Sequence, residues 1–403
     1  MSFGPSTRIG VLGGGQLGRM MIQEAVDLDA RVEVMDPSAE APCRYLTHRF
    51  VQGDLTDRAA VEAFGAGLDC LTIEIEHVSV AAMAALEAAG VRVVPRPAHV
   101  ALIQDKGLQK QFFVDHGIPT APFSLMAPGG DRGARGYPVV QKLRTGGYDG
   151  KGVAVLHDAT STHFADAACV LEDKVALAKE LSVIVARRGA GDVAARVRPR
   201  LARVFLPSAT RAPAPRRYAP TECVFDDRGN VVSLIASPAD VDAATAARAT
   251  AVALDVVEKM DFVGVLAVEL FLDVNGAILV NEVAPRAHNS GHHTIEANAT
   301  SQFAQLLRVA LDLPLGDVAP VRAHAATLNI LGDADAPRGA APAYRGLAAA
   351  LATPGVHPHL YGKSTVSPFR KMGHVTVVGD SRAAVRATAD HLLATVGVAG
   401  VPK

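Results

Sequence analysis

The sequence predicts an α/β protein of more than one domain, and three observations predict it. The chain has 403 residues, enough for two or three domains with a sizeable core. Its hydrophobic content is 49%. Helix-like and strand-like periodicities alternate along its whole length. With 40 Lys and Arg against 41 Asp and Glu, the formal net charge is -1. The whole molecule therefore offers no strong field for nucleic acid or an acidic membrane. Cys43, Cys70, Cys169 and Cys223 are scattered with no CxxC pair, which argues against zinc and redox motifs and favours a reducing compartment. The N-terminus MSFGPSTRIG has no signal-like segment and no apolar run is long enough to span a bilayer, so a cytoplasmic protein is expected.

Taken in order, RIGVLGGGQLGRMMIQEAVDLDARVEVMDP reads as a βαβ unit. Gly13, Gly15 and Gly18 match GxGxxG, and Asp36 lies near the spacing of a ribose-binding acid. The strand CLTIEIEHV and the helix VAAMAALEAAG extend this domain. HVALIQDKGLQKQFFVDHGIPT reads as one helix, closed by Gly117 and Pro119, that marks a boundary. A small α/β lobe with strands PVVQKL and GVAVLH follows to about residue 186. Residues 187–217 are rich in Arg, Ala and Pro, with Asp192 the only acid. They read as a solvated insertion or partly disordered loop, with a basic partner surface as the alternative. A larger lobe then contains the helix AATAARATAVALDVVEKM, the hairpin VGVLAVELFLDVNGAILVNEVAP and the helix TSQFAQLLRVALDL. A short-stranded unit ends the chain.

The hairpin carries a chemical signal. Asn275-Gly276 predicts a two-residue type I′ turn. That register sets Val274 against Ala277, Leu272 against Leu279 and Glu269 against Glu282, with both glutamates on the face of Phe271 and Val280. Opposed carboxylates on a half-apolar face repel each other. A divalent cation between them removes the conflict, and oxygen-only ligands suit Mg²⁺ bridging to phosphates. A slipped or bulged ladder, with the pair separated into solvent, is the alternative.

Together VNEVAPRAHNSGHHT, RTGGYDGKG and HLYGKSTVSPFRKMGH, in this chain in the expected relation to one another, resemble the 5-(carboxyamino)imidazole ribonucleotide synthetases, ATP-grasp ligases of purine biosynthesis. The resemblance covers nearly the whole chain. It implies an ATP-grasp fold with an N-terminal doubly wound parallel-sheet domain (1–116), an ATP-grasp domain (117–320) and a small C-terminal β-rich domain (321–403). The grasp divides into a small lobe (117–186), the insertion (187–217) and a large lobe (218–320). The resemblance also implies a homodimer and a reaction of ATP, bicarbonate and 5-aminoimidazole ribonucleotide through carboxyphosphate.

The resemblance assigns roles residue by residue. Lys106 and Lys142 match positions that neutralise ATP phosphates, and Gly146, Gly147, Tyr148, Asp149, Gly150, Lys151 and Gly152 match the loop that closes over them. Glu172, Asp173, Lys174 and Val175 match the adenine and ribose linker, with Glu172 or Glu180 accepting ribose hydroxyls. Asn281 and Glu282 match the phosphate and metal position, and Glu269 the second Mg²⁺ ligand. Lys363, Arg370 and Lys371 form a basic cluster able to hold a monophosphate. Asn289, Glu76, Gly15, Gln16 and Leu17 match substrate-contacting positions, with Glu74 on the same strand face as Glu76. His288 and His292 are expected to hydrogen-bond or pack rather than bind metal.

Within the loop, Tyr148, Asp149 and Lys151 are the candidate catalytic residues. A carboxylate among phosphate-binding glycines is out of place unless it faces the substrate amine and takes its proton; otherwise Asp149 pins the loop through backbone amides. The sequence departs from the family pattern at Phe225, Ser367 and Ala287 and in the Arg-rich insertion. The competing readings are a formate-dependent glycinamide ribonucleotide transformylase, a nicotinamide-dependent oxidoreductase and a non-catalytic nucleotide-binding protein.

Overall fold

A computed structural model describes residues 4, 6–130, 136–147, 152–158, 160–161, 164, 166–189, 215–226 and 231–401. The strands Arg8–Leu12, Arg31–Asp36, Arg49–Gln52, Cys70–Ile73 and Arg92–Val93 form one parallel sheet. Ile9, Val11, Leu12, Val32, Val34, Cys70 and Leu71 are all buried in it, as expected for a sheet covered on both faces. Arg8–Leu12 lies centrally, between Arg31–Asp36 and Cys70–Ile73. The chain therefore reverses its strand order there, and the glycine loop leaves at this switch point. The following helix, Gln16–Val26, buries Met20, Met21, Ile22 and Ala25 in the same core as Phe303, Leu306 and Leu307 of the helix Gln302–Ala310. The N-terminal unit is thus packed onto the large lobe.

The helix expected through Gln104 and Lys106 is two helices, Pro97–Gln104 and Lys106–Asp115. Asp105 is extended (φ -110°, ψ 107°) and its carboxylate accepts from the Gly107 and Leu108 amides. An aspartate that caps the second helix has to leave helical geometry, so it ends the first.

The small lobe is an antiparallel sheet in the order Phe123–Met126, Cys169–Asp173, Val139–Leu143, Val153–Leu156. The large antiparallel sheet begins with Ile278–Ala284, Gly264–Asp273, Leu177–Arg187, Thr221–Asp226 and Val231–Ser237. It continues without a break into His324–Leu331, Lys371–Gly379 and Val356–Leu360. The last stretch of chain therefore extends the large lobe's sheet, with two strands of 8 and 9 residues beside shorter ones of 5. Helix Ala243–Lys259 covers one end through Ala249, Ala253, Val256 and Val257, and helix Arg382–Thr395 the other through Val385, Ala389 and Leu392. Residues 190–214, most of the Arg-rich insertion, lie outside the described residues.

The hairpin register differs from the two-residue turn. Leu272 pairs with Ile278 and Leu270 with Val280, and the Asp273 amide donates to the Ala277 carbonyl at 3.0 Å, so Val274 falls in the loop. The Asp273 carboxylate accepts from the Asn275 and Ala277 amides, and Gly276 is left-handed at φ 84°. This is a three-residue loop with glycine at its left-handed position. A bulge between Glu269 and Leu270 then absorbs the one-residue offset and restores Glu269 opposite Glu282. Val280 consequently lies on the buried face with Leu270, and Leu279 takes its place opposite Phe271.

Candidate active site

Lys142 sits in the strand Val139–Leu143 with only 7% of its surface exposed. Its ammonium lies 2.9 Å from Glu172 Oε2 and donates to Asn281 Oδ1 at 2.7 Å. The small lobe and the hairpin of the two glutamates are thereby joined through one side chain. Lys106, at the start of its helix, pairs with Glu282. Burial, then the charge of Lys142, pushes the Lys106 pKa down to about 8. For Glu172, burial favours the neutral acid, but Lys142 and Lys110 outweigh it and hold the pKa below the usual carboxylate range. Burial and the neighbouring Glu269 push Glu180 up to about 7. Asp173 is half-buried and Lys174 exposed, in the connection from the small sheet to the large one; Val175 follows them there.

Glu269 and Glu282 face each other across the hairpin, with Asn281 beside them. Among the described residues no group of three or more His, Cys, Asp and Glu is arranged to hold a metal by itself. Two carboxylates plus phosphate and water oxygens nonetheless fit Mg²⁺, which keeps part of its shell for substrate. His288 Nε2 lies 3.2 Å from Glu269 Oε1, and its Nδ1 accepts from the Ser290 amide at 3.3 Å. Burial lowers its pKa, against the opposing charge of Glu269. His292 points elsewhere, against Phe303 and His374, with ring centroids 5.8 and 4.6 Å away. The two histidines do not form a metal pair.

The structure separates Glu74 from Glu76. Glu76 forms an ion pair with Arg286 at 2.9 Å. Glu74 accepts from the Gly15 and Leu17 amides at 3.1 and 3.2 Å, and burial raises its pKa to about 7. Asp36 accepts from the Gly14 amide at 2.7 Å. Any Cβ at Gly15 would stand 2.4 Å from the Glu74 carboxylate, so the glycine serves this close approach. Asn289 opens a short 3₁₀ turn, and its buried Oδ1 has no hydrogen-bond partner among the described residues. Lys363 donates to the Lys371 carbonyl at 2.7 Å, while Arg370 folds back onto Thr365 at 2.6 and 2.7 Å. Lys363 and Arg370 thus lie in the segment ahead of the strand that Lys371 opens, with Arg370 turned back within it.

Tyr148, Asp149, Gly150 and Lys151 lie outside the described residues, so the candidate catalytic loop is seen only at its flanks. Gly146 and Gly152 are left-handed, at φ 78° and 85°. Arg144 before them grips Asp105 with two bonds of 2.9 and 2.6 Å, and the Lys106 amide donates to the Arg144 carbonyl. The loop's entry is therefore tied to the segment that carries Lys106.

Residues 6–104 match the ribonucleotide synthetase preATP-grasp domain, 111–198 and 216–303 the ATP-grasp domain, and 325–388 the phosphoribosylaminoimidazole carboxylase C-terminal domain. The N5-carboxyaminoimidazole ribonucleotide synthase of Synechococcus elongatus is 34% identical over 93% of this chain and 90% of its own. The chain belongs to the N5-carboxyaminoimidazole ribonucleotide synthase family of ATP-grasp ligases. The synthetase structure from Thermotoga maritima is similar over 98% of this chain and 100% of that one, with 33% identity and a TM-score of 0.84. The Aspergillus clavatus enzyme, in complex with ADP and 5-aminoimidazole ribonucleotide, is similar over 97% and 99% of the two chains, with 29% identity and a TM-score of 0.81.

The geometry of the glycine loop argues against a dinucleotide site in this synthase-family chain. A dinucleotide pyrophosphate needs the loop amides as donors, but Asp36 and Glu74 already occupy those of Gly14, Gly15 and Leu17. Two further charged residues contact the residues named above, Arg286 through Glu76 and Lys110 through Glu172. Arg286 stands inside the quoted stretch APRAH, next to the substituted Ala287, and an arginine flanking a candidate ligand run was a signal. Lys110, in the helix Lys106–Asp115, is only 2% exposed, which no local pattern in the sequence signals.

Proposed function

We propose that this chain uses ATP to carboxylate the amine of 5-aminoimidazole ribonucleotide with bicarbonate, giving the N5-carboxyamino product, ADP and phosphate. The observation that carries this reading is the convergence of Lys106, Lys142, Glu172, Asn281, Glu269 and Glu282, from well-separated segments, through direct contacts. Bicarbonate is a poor electrophile because its carbon bears a charged oxygen and a bad leaving group. An oxygen of bicarbonate attacks the γ-phosphorus, the bond to ADP breaks, and carboxyphosphate forms. That species releases carbon dioxide and phosphate beside the amine. The amine nitrogen bonds to carbon and gives up one proton, which Asp149 accepts, with Tyr148 and Lys151 flanking it.

Catalysis here is charge neutralisation, positioning and exclusion of water. Lys106 and Lys142 hold the phosphates, Glu180 a ribose hydroxyl, and the backbone of residues 172–175 the adenine edge. When bound between Glu269 and Glu282, Mg²⁺ supplies positive charge to the phosphate oxygens. Asn289, with its unpartnered buried oxygen, receives a donor from the ribonucleotide. Glu76, Gly15, Gln16 and Leu17 line the same substrate, and Lys363, Arg370 and Lys371 take its monophosphate. The partition into 1–116, 117–320 and 321–403, a homodimer and a cytoplasmic setting complete the reading. The four cysteines unpaired in the structure are in keeping with a reducing compartment, and sedimentation equilibrium checks the dimer.

One assay tests the reaction. With Mg·ATP alone the protein releases ADP slowly, and 5-aminoimidazole ribonucleotide plus bicarbonate accelerates the release. No acceleration overturns the proposal, and acceleration by glycinamide ribonucleotide plus formate would move the chain to the transformylase reaction.

A further inference from the structure

Two lysines share one carboxylate in the interior of this protein. Glu172 lies 2.9 Å from Lys142 and 3.1 Å from Lys110, and the side chains are 3%, 8% and 3% exposed respectively. A single lysine would have made a neutral pair. Burying a second ammonium costs several kcal/mol of desolvation, which a neutral pair does not require. The surplus leaves the group with one net positive charge, and Lys142 faces Asn281 and the hairpin with it.

The second lysine is anchored from another side. Lys110 donates to the Thr120 hydroxyl at 2.6 Å, and that hydroxyl donates to the Val280 carbonyl at 2.7 Å. The Val280 amide returns a bond of 2.7 Å to the Pro119 carbonyl. The next residue, Asn281, accepts from Lys142 at 2.7 Å. Two ion pairs and these hydrogen bonds together close a ring through Lys142, Glu172, Lys110, Thr120 and the Val280-Asn281 segment. It ties the strands Val139–Leu143 and Cys169–Asp173 of the small lobe to the hairpin strand Ile278–Ala284 of the large one. Lys110 is 2% exposed, and its ammonium is taken up by Glu172 and Thr120.

We propose that Lys110, anchored by Thr120, is a positioning residue for nucleoside triphosphate binding: it balances Glu172 so that Lys142 presents an uncancelled charge to the phosphates. The proposal rests on the reading of Lys142 as a phosphate contact. Without Lys110, Glu172 and Lys142 collapse into a neutral pair and the phosphate field is lost.

The test is calorimetric titration with a Mg-bound, non-hydrolysable ATP analogue, alongside steady-state kinetics. Lys110→Met should weaken the analogue and raise the KM for ATP by about tenfold, a field effect of one charge, while the KM for the ribonucleotide stays unchanged. Adding Glu172→Gln to Lys110→Met should recover part of the lost affinity, because Lys142 is then no longer cancelled. A merely structural Lys110 gives no such recovery. Wild-type affinity in a folded Lys110→Met, or a double variant no better than the single one, overturns the inference. If Lys110→Met does not fold, Thr120→Val decides: it keeps the charge, loosens its anchor and should raise the KM for ATP alone, and no change rejects the inference. Lys142→Met separates the two readings. If it binds the analogue normally, the phosphate assignment fails; if it binds weakly while Lys110→Met does not, only the positioning role fails.

Discussion

Glu282 shows how one side chain can be held by opposite demands. It pairs with Lys106 and faces Glu269, so a cation and a second carboxylate bear on it in the same place. Replacing it with Gln keeps shape and removes charge. Glu282→Gln should lower kcat by about a thousandfold with the thermal unfolding curve unchanged; steady-state ADP release reads the first and calorimetry the second. The same site sets a pH window. Lys106, with a pKa of about 8, is cationic below that value and loses its charge as pH rises through it. Glu180, at about 7, is ionised above that value and becomes neutral as pH falls through it. The kcat/KM for ATP should therefore peak between about 7 and 8 and fall on both sides. Glu180→Gln should lower the peak and flatten the acid limb, and an unchanged acid limb would remove Glu180 from that role. The residue types at this site were legible because opposed carboxylates and strand-borne lysines conflict with ordinary packing. The burial of Lys110 was not, because a helical lysine looks the same in sequence whether or not a carboxylate waits beneath it.

At the scale of elements, the site depends on departures from regular geometry. The bulge beside Glu269 and the three-residue turn at Val274, Asn275 and Gly276 each shift the hairpin by one residue, and the shifts cancel at the glutamates. Alternation located the pair correctly, although the intervening contacts differ. The break at Asp105 is equally functional. It starts the helix that presents Lys106 and clamps Arg144 at the mouth of the glycine loop. Asp105→Ala removes the cap and leaves Arg144 unpaired. Stability should fall by about 1–2 kcal/mol in denaturant unfolding, and the KM for ATP should rise with it. A stable variant with normal ATP kinetics would separate the break from the site. Sequence periodicity could not show this break, because apolar spacing runs through Asp105 on both sides.

At the scale of the whole molecule, the N-terminal sheet, the small lobe and the long antiparallel sheet meet through side chains rather than through continuous backbone pairing. Lys106 reaches Glu282, Lys142 reaches Asn281 and Arg286 reaches Glu76. The sequence by itself determined the α/β class, the parallel N-terminal unit, the paired glutamates and the family, since these rest on local periodicity and short motifs. Only the tertiary structure decided that the glycine-loop amides belong to Glu74 and Asp36, that the C-terminal strands continue the large lobe's sheet, and that Glu172 holds two lysines. The physical reason is range. Propensity and alternation act over a few residues, whereas the charge on a buried carboxylate is settled by partners that folding brings from distant segments.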